Sequence, residues 1–273
     1  MPFTLSHAAI VLPFSRPLAR WRLLSAALIG SMIPDSHYFL PWHPQHLVTH
    51  SAMSLVTYSL PAGLFVYWLF QYLIKVPMIE MMPDGAYARW IANESPASIR
   101  MIRQWLLAAC GILAGAFTHL VWDAFTHEGA RGVRMLPMLE EPAFDFGRHH
   151  LVFTRVLQDL SSLLGLAAVI LMIWYGLRRG HEQPVLNRKL STADRRIWTC
   201  AFALVTLLLF GAFLAIGRWS DPFPFGIGSM LNDSAIASLR ALATAIILFA
   251  VVLQVRLRAR STRPDYLSSG PER

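Results

Sequence analysis

Apolar residues come in blocks along this chain, not at the spacing of a one-sided surface helix. Five blocks reach the length of about 20 apolar residues that crossing a bilayer core requires. They run roughly from Ala52 to Ile74, Trp105 to Phe125, Val156 to Leu177, Ile197 to Gly217 and Ala235 to Val255. Each predicts a transmembrane helix, because only a helix satisfies its own backbone hydrogen bonds inside hydrocarbon. The stretch from Leu5 to Leu40 is also apolar, but Pro13, Pro17 and Pro34 interrupt it and Arg16, Arg20 and Arg22 charge it. It reads as two helical pieces, the first too short to cross and the second, Leu23 to Leu40, a candidate to do so. The expected fold is all-α: a polytopic integral membrane helical bundle of about five to six transmembrane helices. Residues 1–260 would form a single membrane domain, and 261–273, with Pro264 and Pro271, a disordered tail.

Composition agrees with that reading. Of 273 residues 55% are hydrophobic and 15% charged, against about a quarter charged in an ordinary soluble domain. The N-terminus shows neither the basic region nor the cleavage site of a secretory signal, so the first segments are expected to stay in the protein. Cys110 and Cys200 both fall inside apolar helices and read as small core residues, not as a disulfide or metal pair.

The net charge of +8 is a topology signal. Arg178, Arg179, Arg188, Lys189, Arg195 and Arg196 crowd one connector, and Arg256, Arg258, Arg260 and Arg263 crowd the tail. By the positive-inside rule both lie in the cytoplasm, the C-terminus with them. No nucleic-acid motif accompanies these residues, so no nucleic acid is expected as a partner. Membrane lipids with anionic headgroups are expected instead.

Against this background, ionisable residues sit where hydrophobic sequence should not tolerate them: His7, Asp35, His50, His119, Asp123 and His127. At membrane depth such groups are costly and read as functional. His119, Asp123 and His127 recur every four residues, which places them on one helix face about a turn apart. Working back from the basic connector puts Asp35, His50, His119, Asp123 and His127 on the outer side of the membrane, and the count used none of the histidines. His7 is not placed by that argument.

Neutral imidazoles and carboxylates bind zinc and similar first-row divalent ions, and the lack of thiolates argues against a sulfur-rich structural site. Zinc is the expected divalent metal, with manganese as an alternative. More than four such ligands can hold two or three ions bridged by a carboxylate, and paired ions suit phosphoryl chemistry. The competing explanation is helix packing, with His119 hydrogen-bonded to Asp35. That would explain one pair, not five residues.

Other polar residues carry weaker signals. Asp159 reads as a ligand or as a partner orienting a histidine. His37, His43 and His46, near Trp42 and Tyr38, read as interfacial or loop residues, and His181 as solvated. Glu128 to His150 is the longest outward connector; Arg131 and Arg134 could grip a phosphate there, and His149 or His150 could donate a proton. An equal alternative is a solvated loop. Pro77 to Arg100 reads as a connector with a turn at Pro83-Asp84-Gly85.

Four motifs in order suggest a family: Thr4-Leu5-Ser6-His7, Gly30-Ser31-Met32-Ile33-Pro34-Asp35, Thr49-His50-Ser51 and His119-Leu120-Val121-Trp122-Asp123. The chain resembles a family of bacterial membrane proteins described as domain of unknown function 4184. It is also similar to inner-membrane metal-dependent hydrolases under LexA control. The ligand order further resembles zinc-dependent phospholipase C and the P1-type nucleases. That resemblance implies Asp35, His50, His119 and Asp123 around one ion, with Asp123 bridging to a second held by His7. The later His-x-x-x-Glu pair of those enzymes has no counterpart here, leaving His127, His149 or His150 for any further ion.

Two functions follow as expectations. One is a membrane-bound metal-dependent hydrolase of phosphoesters, its site at the outer face of the inner membrane and His7 and Asp123 at the chemistry. The other is a non-enzyme, a divalent-metal transporter or a scaffold with a structural His/Asp cluster.

Overall fold

The computed structural model describes residues 4–39, 46–84, 86, 102–146, 149–178, 189–220 and 227–261. Five helices in it are long and apolar enough to cross a membrane: Leu55–Met81, Ile102–Thr126, Phe153–Arg178, Thr192–Gly217 and Asp233–Ala259. They fall on the five apolar blocks, and they mark the chain as a multi-pass membrane protein of helical architecture.

The first of the five runs past Ile74 to Met81, so Pro77 lies inside a helix and not in a connector as expected. Two prolines are accommodated here by the same device. Pro61 sits in α4 (Leu60–Leu69) and Pro77 in α5 (Lys75–Met81), while π-helical turns occupy Leu55–Ser59 and Phe70–Ile74. The residues four back from each proline, Thr57 and Leu73, fall within those wider turns. The ring therefore avoids the carbonyl it would strike in a regular helix. The helix stops at Met82, which is extended as a residue before proline must be, and Ala86 N–H donates to the Pro83 carbonyl as the turn signal implied.

By compactness the chain divides into two units, one from Met1–Trp68 with Glu94–Arg179 and one from Leu69–Asn93 with Gly180–Arg273. In the first unit the chain opens with a 3-10 run over Thr4–Phe14, then α1 (Ser15–Arg20) and α2 (Leu24–Met32). Arg22, at φ 59°, makes the turn between those helices. The second apolar piece does not continue as one helix to Leu40. Pro34 cannot extend the helical ladder, and Ile33–Phe39 tightens into 3-10 turns. The nine residues of α2 rise about 14 Å, under half of a bilayer core, so this piece is not one of the five helices able to cross.

α2 instead lies along α6 (Ile102–Thr126) through a seam of small residues. A Cβ on Gly30 would strike the Ile112 carbonyl, and one on Gly115 would strike the Ala27 carbonyl. Small residues that let two backbones touch are the usual way apolar helices associate without a hydrophobic driving force. The last long helix of this unit, α8 (Phe153–Arg178), packs on the opening 3-10 run, with Gly165 at its middle against Ser6. Between α6 and α8 come α7 (Arg131–Met135), a 3-10 turn and an antiparallel hairpin of β1 (Pro142–Phe146) and β2 (His149–Val152). The described residues of this connector thus carry secondary structure, where the sequence reading allowed a plain loop.

In the second unit α9 (Thr192–Ser220) and α10 (Ile227–Ser261) pack together around Leu190, Leu253 and Leu257, with Trp198 edge-on to Phe249. Arg195 donates to the Met82 carbonyl and to Asp84, both at 3.0 Å. Cys110 and Cys200 are exposed on their helices, not buried as expected. An apolar residue of a membrane helix can face lipid as readily as core, so apolar surroundings in sequence did not imply burial. The expected tail, beyond Ser261, lies outside the described residues.

Candidate metal centre

The buried face of α6 reads Ala108, Gly111, Ile112, Gly115, Ala116, His119, Asp123 and Thr126. Spacings of three and four keep these on one stripe, so the glycines that bring α2 close also aim His119 and Asp123 at it. The 3-10 run after α2 brings up Asp35, which is 1% exposed. His50 follows the short helix α3 (His46–Thr49) in a turn tied by serines. Ser54 Oγ donates to the Thr49 carbonyl at 2.7 Å, and Ser54 N–H donates to Ser51 Oγ at 3.1 Å.

One nitrogen of each central imidazole is occupied by a neighbour. His119 Nδ1 donates to the Ser31 carbonyl at 2.8 Å. The Thr49 hydroxyl lies 2.7 Å from His50 Nδ1. Both rings therefore turn Nε2 inward, and such outer contacts fix a histidine's tautomer and orientation for a metal.

The inward atoms converge. His50 Nε2 is 3.3 Å from His119 Nε2, 3.3 Å from Asp35 Oδ1 and 3.4 Å from Asp123 Oδ2. His119 Nε2 is 3.2 Å from Asp123 Oδ2 and 3.6 Å from Asp35 Oδ1. Zinc bonded at about 2.0–2.1 Å in a tetrahedron separates its ligand atoms by about 3.3–3.4 Å. The donor set fits such an ion: one atom from each of Asp35, His50, His119 and Asp123 lies within 4.8 Å of all the others. At 3.6 Å the His119–Asp35 contact is too long to be the helix-tying hydrogen bond of the packing alternative.

The Asp35 carboxylate is half satisfied, on its outer side. Thr4 Oγ1 donates to Asp35 Oδ2 at 2.9 Å, which leaves Oδ1 facing the imidazoles. Asp35 Oδ1, Asp123 Oδ1 and His7 Nε2 are buried with no hydrogen-bond partner among the described residues. Each such orphan costs about 1–3 kcal/mol, more where charged. A cation among the four inward atoms would remove that cost at Asp35 Oδ1, and one shared by His7 Nε2 and Asp123 Oδ1 would remove it at the other two.

His7 stacks on His119, ring centres 3.8 Å apart, and presents Nε2 to Asp123 Oδ1 at 3.5 Å. In 3-10 turns residues i and i+3 share a face, so the run that supplies Thr4 to Asp35 supplies His7 to Asp123. Burial first, then the neighbouring His119, pushes the His7 imidazole down to about 4, so it is neutral. For His50 burial also disfavours the charged form, but the carboxylates of Asp123 and Asp35 outweigh it and raise the ring to about 9. The two carboxylates thus draw positive charge to their midpoint.

His127 lies at the rim. Its Nδ1 donates to the Asp123 carbonyl at 3.2 Å and stands 3.6 Å from Asp123 Oδ1. It neighbours the oxygen that faces His7 and is not part of the four-ligand set. Asp159 does not join the centre: it pairs with Arg155 at 3.1 Å and its side chain is 61% exposed. Near the start of α8 it faces away from the bundle, so apolar neighbours in sequence misplaced it.

His37 was missed. It is buried, with Nδ1 3.0 Å from the Pro34 carbonyl and its ring edge-on to His50. Its place one 3-10 step beyond Pro34 was the available signal. Thr4, Ser31 and Thr49 were also missed as outer contacts, although all three sit inside the quoted motifs. His43, His181 and the side chains of His46, His149 and His150 lie outside the described residues.

The family model described as Domain of unknown function (DUF4184) matches residues 1–253, and the chain belongs to that family. No curated protein and no solved structure matches the chain.

Proposed function

We propose that this member of the family is a membrane-bound hydrolase of phosphoesters that works through a divalent cation, zinc or else manganese, held by Asp35, His50, His119 and Asp123. The observation that carries the reading is the set of five distances between 3.2 and 3.6 Å among the four inward atoms, matched to the edge of a zinc tetrahedron. A cation so held supplies an activated water at neutral pH and polarises a phosphoryl oxygen.

The chain's own residues do the rest. Thr4, Thr49 and the Ser31 carbonyl hold the ligands in register. His7 and Asp123 Oδ1 face each other beside the four-ligand set, with His127 behind them, in position to take a proton or to share a second cation. The centre is assigned to the outer face of the bacterial inner membrane, with the C-terminus in the cytoplasm, by the positive-inside argument. Phospholipids and prenyl phosphates in that leaflet are the first substrates to consider.

A second reading has one observation in its favour. His50 sits between two carboxylates that raise it to about 9, which is also how a metal-free ion network ties helices together. Phosphate or phosphoester release from lipid nanodiscs, wild type against Asp123→Ala and His7→Ala, tests the hydrolase. Turnover lost in both variants supports it. No turnover of any phosphoester by metal-loaded wild type sinks it and leaves the scaffold or transporter.

A further inference from the structure

Outside the five spans the first unit exposes large apolar side chains at several places, Phe14, Trp21 and Met53 among them, and in the segment after α6 three of them stand beside two arginines. Met135 is 76% exposed, Met138 61% and Leu136 44%. In a soluble loop this exposure is unfavourable, and clustered exposed apolar side chains mark a surface that meets a partner or a membrane. The same few residues include Arg131 and Arg134, one helical turn apart and both exposed. Neither guanidinium has an ion pair or hydrogen bond among the described residues.

The segment is firmly mounted. Gly132 lies against the end of α6, where a Cβ would meet the Ala124 carbonyl at 2.6 Å and the Phe125 ring at 2.8 Å, and Val133 is fully buried. The 3-10 turn Pro137–Glu140 packs on α8. Exposed aromatic residues close both flanking spans: Trp122 and Phe125 in the last turns of α6, and Phe153 opening α8. Aromatic residues at span ends sit at headgroup level, so a segment mounted on those ends lies there too.

We propose that Arg131 to Leu139 is a membrane-interface anchor, with Met135, Leu136 and Met138 in the acyl boundary and Arg131 and Arg134 on the phosphates of acidic phospholipids. Apolar side chains below and cations above are the arrangement an anionic interface selects. Glu140 and Glu141 stand at the far end of the turn, where the chain departs into the hairpin. The proposal rests on the membrane assignment and not on the hydrolase reading, so each can fail alone. It also sets an acidic-lipid contact four residues along the chain from His127.

The test places an environment-sensitive fluorophore at Met138→Cys in full-length protein carrying Cys110→Ser and Cys200→Ala. It is read in nanodiscs of phosphatidylcholine with or without phosphatidylglycerol. Blue-shifted emission, quenching by lipids spin-labelled high on the acyl chain, and tighter engagement with phosphatidylglycerol are expected. Each of Arg131→Glu and Arg134→Glu should weaken that lipid preference about fivefold or more, with an unchanged thermal unfolding midpoint as the check on folding. Water-like emission quenched by iodide in both lipids would overturn the anchor. So would a blue shift insensitive to lipid quenchers, since that places the segment against protein.

Discussion

The Nδ1 atom of His119 lies 2.8 Å from the carbonyl oxygen of Ser31, across the seam between α6 and α2. That hydrogen bond makes helix packing and ligand geometry one problem. The carbonyl reaches the ring only because Gly30 and Gly115 let the two backbones touch.

Gly115→Ala should therefore lower metal affinity although it alters no ligand. Its Cβ has no room, and overpacking a tight seam costs about 1–3 kcal/mol. Thermal unfolding in detergent should show that loss, with weaker metal retention beside it. Gly211→Ala, where nothing lies within 4 Å of an added Cβ, should be neutral or slightly stabilising. Equal effects at both positions would contradict the seam.

The Thr4 side chain acts on the centre through Asp35, by its 2.9 Å hydrogen bond to Oδ2. Loss of such an outer contact usually costs about 10–100-fold in metal affinity. Thr4→Val should show a loss of about that size in a chelator competition, and Thr4→Ser should recover most of it. No difference among the three proteins would remove Thr4 from the account.

Metal binding should release a proton. The carboxylates raise His50 to about 9 in the metal-free protein, and a ligand imidazole must be neutral. Affinity should then rise with pH, by about tenfold per unit at most, and level off near 9. Without metal the sign reverses for stability. A ring raised from 6.5 to about 9 stabilises the fold fully below the unfolded value, and that contribution fades as pH climbs through the folded one. Calorimetry in buffers of different ionisation enthalpy reads the proton directly, and pH-independent affinity would contradict the assignment.

Asp159→Asn should leave metal content unchanged and move stability by less than about 1 kcal/mol. Its partner Arg155 is 53% exposed, and pairs so open to solvent contribute little. A loss of metal in this variant would show that the centre extends to α8.

Much of this was legible in sequence, for reasons specific to membranes. Hydrocarbon tolerates few ionisable groups, so Asp35, His50, His119 and Asp123 stood out at once, and apolar length located all five spans. The i, i+4 spacing of His119 and Asp123 fixed their common face. The outer contacts were harder to read, because a carbonyl such as Ser31's or a hydroxyl such as Thr49's gains meaning only from a partner brought up by folding. Pro77 misled for the same reason, since a π turn at Phe70–Ile74 made room that no residue type announces. Asp159 misled because an apolar neighbourhood in sequence does not reveal which way a helix face points.

Metal content tests the central claim most directly. Mass spectrometry of detergent-purified wild type, beside His119→Ala and Asp123→Ala proteins of matched thermal stability, should find at least about one zinc or manganese per chain in the wild type and none in either variant. Wild type without bound metal after supplementation, and variants as stable as wild type, would contradict the centre and leave these residues the role of holding helices together.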